Sequence, residues 1–318
     1  MGTMSLPEPR PSVRRRAGGT LLVLVAGLAL AGCGDDDPVP ASGGTGEPTR
    51  SGSPSPSDVP TSETPTESPT ESPTEDEGTT VPIYWVGEGP GGEPRLFREF
   101  HRVQGDALIE AARLVMGPGQ PDDPDYRTLW PAVEVADVDA TDGVLLVRIP
   151  GDGFTERPDG MSKRQAALAL QQLVYTLQGV QQERVPVLVQ REGGLPLLGL
   201  TTDAPFEQAS ALETLNLVSI TSPAEGDTVS GDTLSVTGVA NSFEASGPCR
   251  LLVGGQEVAL EGYQSDGWME DRLFPFEVEL PLDGVTGEAV VQCETDDPSG
   301  GAEGDGPAID TKTIRIAG

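Results

Sequence analysis

The sequence is poor in the residue types that enzymes most often use in catalysis. Its 318 residues include one histidine, three cysteines and 4% aromatic residues. No second histidine or cysteine stands at metal-ligand spacing from His101, and no serine lies in a Gly-x-Ser-x-Gly sequence. A Ser-His-Asp site would depend entirely on His101, whose strand-like surroundings are more typical of a structural residue. We therefore predict no catalytic residue, no metal site and no cofactor.

Basic residues are also scarce, with 20 Lys and Arg against 51 Asp and Glu and a net charge of −31. Most of the acidic excess lies after residue 79. A surface of this sign repels nucleic acid and anionic lipid, so we expect no nucleic-acid partner. Solubility is the simpler explanation of the charge, and a basic partner is the alternative. The sequence does not exclude a pair of carboxylates of the kind that cleaves glycosides, because chance pairs of acids are plentiful in so acidic a chain.

One acidic cluster superficially suggests calcium. Asp122, Asp123 and Asp125 fall in a Pro-rich segment. They lack the glycine and the distal bidentate glutamate of a helix-loop-helix calcium site. We therefore expect a solvated turn there.

No apolar run is long enough to cross a membrane. The stretch over residues 20–32 falls short of the roughly 20 apolar residues that a spanning helix needs. It follows three arginines at 14–16 and ends in small residues before Cys33, which is typical of a bacterial lipoprotein signal peptide over residues 1–33. Cleavage would leave Cys33 as a lipidated amino terminus. Each buried acyl methylene contributes about 0.8 kcal/mol, so we predict an anchor on the outer face of the cytoplasmic membrane.

Residues 34–79 contain almost no apolar side chains and cannot bury a core. A four-residue unit of Ser or Thr, Glu, Ser or Thr, and Pro occurs three times over residues 62–73. This composition predicts a disordered acidic tether. At about 3.1 Å per residue its extended length is on the order of 140 Å. Its hydroxyl groups could carry sugars, although a solvated spacer is the simpler interpretation.

Residues 80–206 interleave strand-like and helix-like segments, which predicts an α+β domain with helices against a mixed or antiparallel sheet. Asp106 is placed to cap a helix that ends before Gly117. Ser162 and Gln165 have the spacing of a capping box, and the apolar stripe that follows predicts a helix that Gly179 can end. The strand-like segments are 81–86, 96–103, 132–138, 143–149, 184–191 and, as a short one, 195–200.

Several of these segments together resemble the GerMN domain. They are residues 81–85 (VPIYW), 98–103 (REFHRV), 117–118 (GP), 125–127 (DYR), 130–131 (WP) and 169–176 (ALQQLVYT). That family is named for a spore-formation and germination lipoprotein, and it also occurs in envelope lipoproteins. The resemblance covers most of residues 81–206 and implies extracytoplasmic assembly or interaction without catalysis.

Residues 215–318 contain only strand-like segments with frequent turn residues, which predicts an all-β sandwich. Residues 220–223 and 234–240 resemble the immunoglobulin-like domain that often follows GerMN in germination-type proteins. The seven predicted strands are 217–221, 233–240, 249–253, 257–260, 274–280, 288–294 and 312–316.

Cys249 and Cys293 are the two cysteines that remain after lipidation. Outside the cytoplasm a disulfide is the natural expectation, and two buried thiols are the alternative. Closing this loop would stabilise the domain by about 4 kcal/mol in the chain-entropy model. Cys249 follows the second predicted strand of the domain and does not lie in it, so the pair is not equated with the antibody-type bridge.

The candidate interaction residues are Trp130, Gln171 and Gln172. Trp130 precedes a proline, and glutamine on an amphipathic helix usually faces outward. We predict a non-catalytic, lipid-anchored envelope protein that acts as a protein-protein interaction or assembly module. One alternative is a lipoprotein that binds wall glycan or a solute, and another is a wall hydrolase. The expected partners are the membrane, through the lipid on Cys33, and an envelope protein, with wall glycan as a further possibility.

Overall fold

The computed structural model describes residues 78–297 and 304–318. The predicted signal peptide, the lipidation site Cys33 and nearly all of the predicted tether lie outside these residues. No helix in the described part of the chain is long and apolar enough to cross a membrane.

The first domain is α+β, as predicted. A pair of strands precedes each of its long helices, and a single strand follows the second of these helices. The elements are β1 (Thr79–Glu88), β2 (Pro94–Val103), α1 (Ala107–Met116), β3 (Asp137–Thr141), β4 (Val144–Arg148), α2 (Lys163–Gln181) and β5 (Val187–Gln190).

Two separate sheets flank the helices. Strands β1 and β2 form a long antiparallel hairpin, whereas β3, β4 and β5 form a mixed sheet in which β4 and β5 run parallel. Parallel neighbours require a crossover, and α2 supplies it. Helix α2 packs on β1 and on α1, so its apolar stripe lies in the centre of the domain core.

Helix α2 begins at the predicted capping box. Ser162 Oγ accepts the backbone N–H of Gln165 at 3.1 Å, and Gln165 Oε1 accepts that of Ser162 at 2.8 Å. The prediction that Gly179 ends the helix was wrong, because the helix continues to Gln181 and Gln182 takes the left-handed conformation, with φ 58°. Gly179 instead permits a close approach to β1, since a Cβ there would lie 2.8 Å from Cγ of Pro82.

Three predicted strands are shorter than expected. The strand predicted over residues 184–191 forms only as β5 (Val187–Gln190). Residues 132–136 stay irregular and β3 begins only at Asp137, because Ala132 has a positive φ of 58° and Val133 N–H bonds to the last turn of α1 at Met116 O, 2.7 Å away. Within residues 195–200 a single bridge joins Leu197 and Leu200. Apolar composition alone does not distinguish these tertiary contacts from strand pairing.

The connection between the two domains is ordered against the first one. It contains the short helix α3 (Ala211–Thr214). Ala211 and Leu215 pack with Leu96 and Tyr175 in a small apolar cluster of their own. The backbone N–H of Asn216 donates to Leu96 O at 2.9 Å, so the connection is fixed to β2 before the second domain begins.

The second domain is all-β and, within residues 215–297 and 304–318, has eight strands where seven were predicted. The additional strand is the two-residue β7. The elements are β6 (Val218–Ser222), β7 (Thr228–Val229), β8 (Thr233–Ala240), β9 (Ser246–Val253), β10 (Gln256–Ser265), β11 (Phe274–Pro281), β12 (Gly287–Glu294) and β13 (Ile309–Ile316).

The strands pair in the order β6-β8-β11-β10-β9-β12-β13-β7. Strands β10 and β11 share only two residue pairs, and β6 packs against β12 and β13 without pairing with them. The strands therefore fold over into two facing layers with one apolar core between them.

Cys249 and Cys293 form a disulfide, with their sulfur atoms 2.01 Å apart. They lie directly opposite each other on the neighbouring strands β9 and β12. The bond therefore joins adjacent strands of one layer, whereas the antibody-type bridge joins two facing sheets.

Candidate functional site at the domain boundary

A buried ionic network joins the two domains. Lys312 lies on β13 of the second domain, and its Nζ contacts Asp123 Oδ2 at 2.5 Å and the Tyr126 hydroxyl at 2.8 Å, both in the first domain. The side chains of Lys312 and Asp123 are 3% and 2% exposed. The ammonium group also lies 4.4 Å from the centre of the Tyr126 ring. An ion pair buried this completely is stable only when short contacts and hydrogen bonds compensate both charges for their lost hydration.

Asp310 extends this network into the second domain. The Tyr126 hydroxyl donates to Asp310 Oδ1 at 2.5 Å, and the backbone N–H of Ile220 on β6 donates to Oδ2 at 2.6 Å. Lys312 Nζ lies 3.6 Å from Oδ1 of the same carboxylate. The Asp310 side chain thus connects β13 with the facing strand β6 and with Tyr126 of the first domain.

The loop that carries Asp123 is fixed by β2. Glu99 Oε1 accepts the backbone N–H of Asp123 at 2.8 Å, and Glu99 Oε2 accepts that of Asp122 at 3.1 Å. Asp123 Oδ1 accepts the N–H of Asp125 at 2.9 Å. The expectation of a solvated turn was wrong for Asp123, which is buried because Lys312 of the other domain pairs with it.

Both proton-bearing groups at the centre of the network hold their protons more tightly than usual. Burial disfavours the charged form of Lys312, but the carboxylates of Asp310 and Asp123 outweigh this effect and raise its pKa. The pKa of Tyr126 is raised well above its ordinary value by burial, with Asp310, Asp123 and Glu99 adding to the rise. At neutral pH Lys312 is therefore an ammonium and Tyr126 a neutral phenol. Burial also raises the pKa of Asp310.

The only histidine lies at the edge of this network. Glu99, His101 and Asp122 offer one ligand atom each within 4.8 Å of one another, a grouping of metal-ligand types that the sequence spacing did not reveal. His101 Nε2 lies 3.1 Å from Glu99 Oε2 and 3.3 Å from the indole nitrogen of Trp85. Both oxygens of Glu99 accept backbone N–H groups of the loop, so Glu99 holds the loop on β2.

Two of the three candidate interaction residues are not on the surface. Trp130 is 5% exposed and packs in the first domain's core. Gln172 is fully buried, where its Nε2 donates to Tyr84 O at 3.0 Å and its Oε1 accepts the N–H of Leu129 at 2.9 Å. Those two surface predictions were wrong, because the loop after α1 covers this face of α2.

Gln171 is partly exposed, but its amide is used within the protein. Its Nε2 donates to Glu207 O at 3.0 Å, and its Oε1 accepts the N–H of Ala209 at 2.9 Å. The side chain therefore fastens the interdomain connection to α2.

Lys312 and Asp310 were not among the candidate residues predicted from the sequence, although a signal was present. Side chains two residues apart on a strand share a face. Residues 310, 312, 314 and 316 therefore lie on one side of β13, and two of them are the buried apolar Ile314 and Ile316. A lysine and an aspartate on the inward face of a strand indicate a buried ion pair.

Fold and site together define a protein of two contiguous domains, α+β and then immunoglobulin-like, joined by a buried ionic interface. Residues 82–193 match the family model described as sporulation and spore germination (Germane). Residues 217–302 match the immunoglobulin-like domain of bacterial spore germination (Gmad2). The protein therefore carries a GerMN-type domain followed by a germination-associated immunoglobulin-like domain, in the order that the sequence resemblance predicts.

A comparison with curated proteins finds no match. Among solved structures, the tandem GerMN domains of the sporulation protein GerM from Bacillus subtilis align with 15% identity over 65% of this chain and 62% of theirs, at a TM-score of 0.33. A putative lipoprotein from Clostridium perfringens aligns with 16% identity over 43% of this chain and 93% of its own, at a TM-score of 0.24. An engineered protein aligns with 18% identity over 36% of this chain and 22% of its own, at a TM-score of 0.27. This chain thus covers less than two thirds of the length of the GerM structure and of the engineered protein.

Proposed function

We propose that this protein is a non-catalytic, lipid-anchored envelope protein whose two folded domains act together as an extracytoplasmic protein-protein interaction or assembly module. The germination-type domains support an envelope role. The anchor is Cys33 on the outer face of the cytoplasmic membrane, and the acidic segment over residues 34–79 is the spacer.

The observation that carries this proposal is the Lys312–Asp123 pair across the domain boundary. Apolar contacts between domains tolerate small slides, whereas a buried ion pair leaves an unpaired charge when either partner moves. The network therefore favours one relative arrangement of the domains over others. A partner that contacts both domains then meets a preformed surface and does not have to order it on binding.

Anchoring adds a second physical contribution. A lipid on Cys33 confines the protein to the membrane plane, and the spacer sets how far the domains reach. Both raise the effective concentration of the domains near a membrane-bound partner without any new contact. Modest intrinsic affinity is then sufficient for assembly.

The test is in-cell crosslinking of the full-length protein, followed by mass spectrometry of the recovered material. The matched control keeps residues 1–79, with the same anchor and spacer, and lacks the folded domains. We expect one or two reproducible protein partners that the control does not recover. Recovery of wall fragments alone would replace the assembly role by the glycan-binding alternative.

Membrane attachment is tested separately with Cys33→Ser. We expect wild-type protein in the membrane fraction, with a mass at its amino terminus that includes acyl chains, and the variant without that modification. An unmodified Cys33 in wild-type protein would contradict the anchor, whatever the crosslinking shows.

A further inference from the structure

Three large apolar side chains lie close together in two loops at one end of the second domain. Phe243 belongs to the turn between β8 and β9, and Trp268 and Met269 belong to the loop between β10 and β11. The ring centres of Phe243 and Trp268 are 5.2 Å apart, in an edge-to-face arrangement. Phe243 is 43% exposed and Met269 is 75% exposed. We call these three residues the apolar patch.

The backbone that carries the patch is held in an uncommon conformation. Ala245 and Met269 have positive φ angles of 61° and 66°, which residues other than glycine rarely adopt. Hydrogen bonds fix both loops, since Ser265 Oγ donates to Ala245 O at 3.1 Å and Asn241 Nδ2 donates to Glu270 O at 2.8 Å. Positions of this kind persist only where the surrounding structure determines them.

The loop that carries Trp268 is also fixed to the interdomain connection. Asp271 Oδ1 accepts the hydroxyl of Ser210 at 2.8 Å and the backbone N–H of Leu212 at 3.1 Å. The patch is therefore ordered before any partner arrives. A partner that binds an ordered surface loses less conformational entropy than one that must order it.

The residue types of the patch are those that protein interfaces use. Aromatic residues and methionine are enriched at interfaces, and tryptophan is among the residues that contribute most binding energy. The other two tryptophans of the chain, Trp85 and Trp130, are buried in the core of the first domain, whereas Trp268 is partly exposed. Loops at one end of an immunoglobulin-type sandwich also form the binding site of antibody variable domains. Residue type and position therefore both indicate a contact surface.

Acidic residues outnumber basic ones around the patch. Residues 241–246 and 266–273 contain four acids and one basic residue, Arg272. Arg272 pairs with Glu270 at 2.9 Å, and Asp271 is bonded to the interdomain connection. The other two acids, Glu244 and Asp266, are exposed.

A third exposed acid, Asp296, adjoins the same loops. Its backbone N–H donates to Oγ of Ser242, the residue before Phe243, at 2.7 Å. Glu244, Asp266 and Asp296 thus give the surroundings of the patch an excess of negative charge.

The sign of this charge decides between the possible occupants. The spacer over residues 34–79 carries eleven acids and one arginine, so the surroundings of the patch repel it. A second copy of the chain would bring the same acids to the contact and is disfavoured for the same reason. A partner with basic side chains next to an apolar one complements both the charge and the patch.

We propose that the apolar patch docks a segment of a partner protein in which an aromatic or aliphatic side chain is flanked by lysines or arginines. The apolar side chain packs on Trp268 and Met269, and the flanking cations lie against Glu244, Asp266 and Asp296. This inference rests on the proposed interaction role, because it names the surface that a partner contacts and the chemistry of the partner.

The test is site-specific photocrosslinking in cells with the full-length protein. Phe243→p-benzoylphenylalanine keeps a phenyl ring at the patch and adds a photoreactive ketone. Leu260→p-benzoylphenylalanine is the matched control, at a 48% exposed position on β10 outside the patch. Mass spectrometry then identifies the partner segment that is crosslinked.

We expect a crosslink from residue 243 that the control does not give, to a segment with at least two lysines or arginines beside an apolar residue. A segment that is acidic or uncharged would overturn the inference. The absence of any crosslink from residue 243 would overturn it as well.

Charge variants distinguish this docking from a general attraction to an acidic protein. Glu244→Gln with Asp266→Asn removes two charges beside the patch and should lower the crosslink yield at least threefold. Glu279→Gln with Glu288→Gln removes two exposed charges on β11 and β12 and should leave the yield unchanged. Equal yields from the two double variants, at equal protein levels, would contradict the charge complementarity.

Met269→Ser tests the apolar contribution. The side chain is largely exposed, so the variant is expected to fold, and the crosslink yield should fall at least threefold. An unchanged yield would remove the patch from the interface.

The two proposals fail in different ways. Protein partners recovered by general crosslinking, with none crosslinked through residue 243, would overturn the patch assignment and leave the assembly role standing. The absence of partners in both experiments would contradict the assembly role as well.

Discussion

Lys312 Nζ and Asp123 Oδ2 lie 2.5 Å apart across the boundary between the two domains, and both side chains are almost completely buried. Further hydrogen bonds hold the loop of Asp123 and the strand of Lys312 in place. The backbone N–H of Asp123 donates to Glu99 in the first domain, and the backbone N–H of Ile220 donates to Asp310 in the second. The pair therefore connects two regions that are each fixed within their own domain. Because neither charge has water to replace a lost partner, removing one of them has a large effect.

Lys312→Met should lower the free energy of unfolding by about 3–5 kcal/mol, because it leaves Asp123 as a buried charge without its partner. Asp123→Asn should also destabilise, and the double variant should lose less than the sum, with a coupling of about 0.5–3 kcal/mol. Denaturant unfolding followed by circular dichroism measures each value. Arg315→Met, an exposed position on the same strand, is the control and should change stability by less than about 0.5 kcal/mol. Strict additivity of the two changes would argue against the pairing.

The stability of the protein should fall in alkaline solution. The pKa values of Lys312 and Tyr126 are raised above their ordinary values of 10.5 and 10.0. The folded protein therefore keeps protons that the unfolded chain releases. The resulting stability is fully present below pH 10 and is lost as the pH rises through the folded pKa values.

Unfolding measured at intervals between about pH 8 and 11.5 checks this dependence. Tyr126→Phe removes one of the two groups and should make the alkaline decline shallower. Other buried tyrosines contribute as well, since burial raises the pKa of Tyr175 to about 12. A decline with the same slope in wild-type and Tyr126→Phe protein would assign the alkaline effect elsewhere.

Loss of the disulfide should cost about 4 kcal/mol, since the two cysteines are 44 residues apart and the bond restricts the unfolded chain. The Cys249→Ala and Cys293→Ala double variant should unfold at a lower temperature than oxidised wild-type protein. Reduction should lower wild-type stability towards that of the variant and leave the variant unchanged. Two free thiols in native protein, detected by alkylation and mass spectrometry, would contradict the bond.

Gln172→Leu should destabilise the first domain, because it leaves the N–H of Leu129 and the carbonyl of Tyr84 without partners. Each unsatisfied buried group costs about 1–3 kcal/mol. Gln181→Leu, at a partly exposed position near the end of the same helix, is the matched control and should have little effect. Thermal unfolding of the two variants decides the point, and equal midpoints would place Gln172 at the surface after all.

The sequence predicted the elements whose signals are local. The capping box of Ser162 and Gln165 and the cap at Asp106 depend on spacing within one turn, and the structure contains both. Strand β8 was predicted over the same residues that the structure gives. Residues along Thr233–Ala240 alternate between the buried and the more exposed face of the sheet, and this pattern is visible in the sequence.

Contacts between distant segments were not predictable in the same way. From its position on α2, Gln172 is expected at the surface. In the structure the loop at Leu129 covers it. The sequence around Asp123 is typical of a solvated turn. In the structure Lys312, 189 residues further along the chain, pairs with it. Both residues are polar, so their burial depends on a partner that periodicity cannot identify.

Differential scanning calorimetry of the full-length protein in detergent tests most directly whether the buried network makes the two domains one unit. We expect a single cooperative transition for wild-type protein and two separate transitions for Lys312→Met. The Arg315→Met control should keep the single transition. Two independent transitions in wild-type protein, at positions that Lys312→Met does not change, would contradict the coupling on which the assembly role depends.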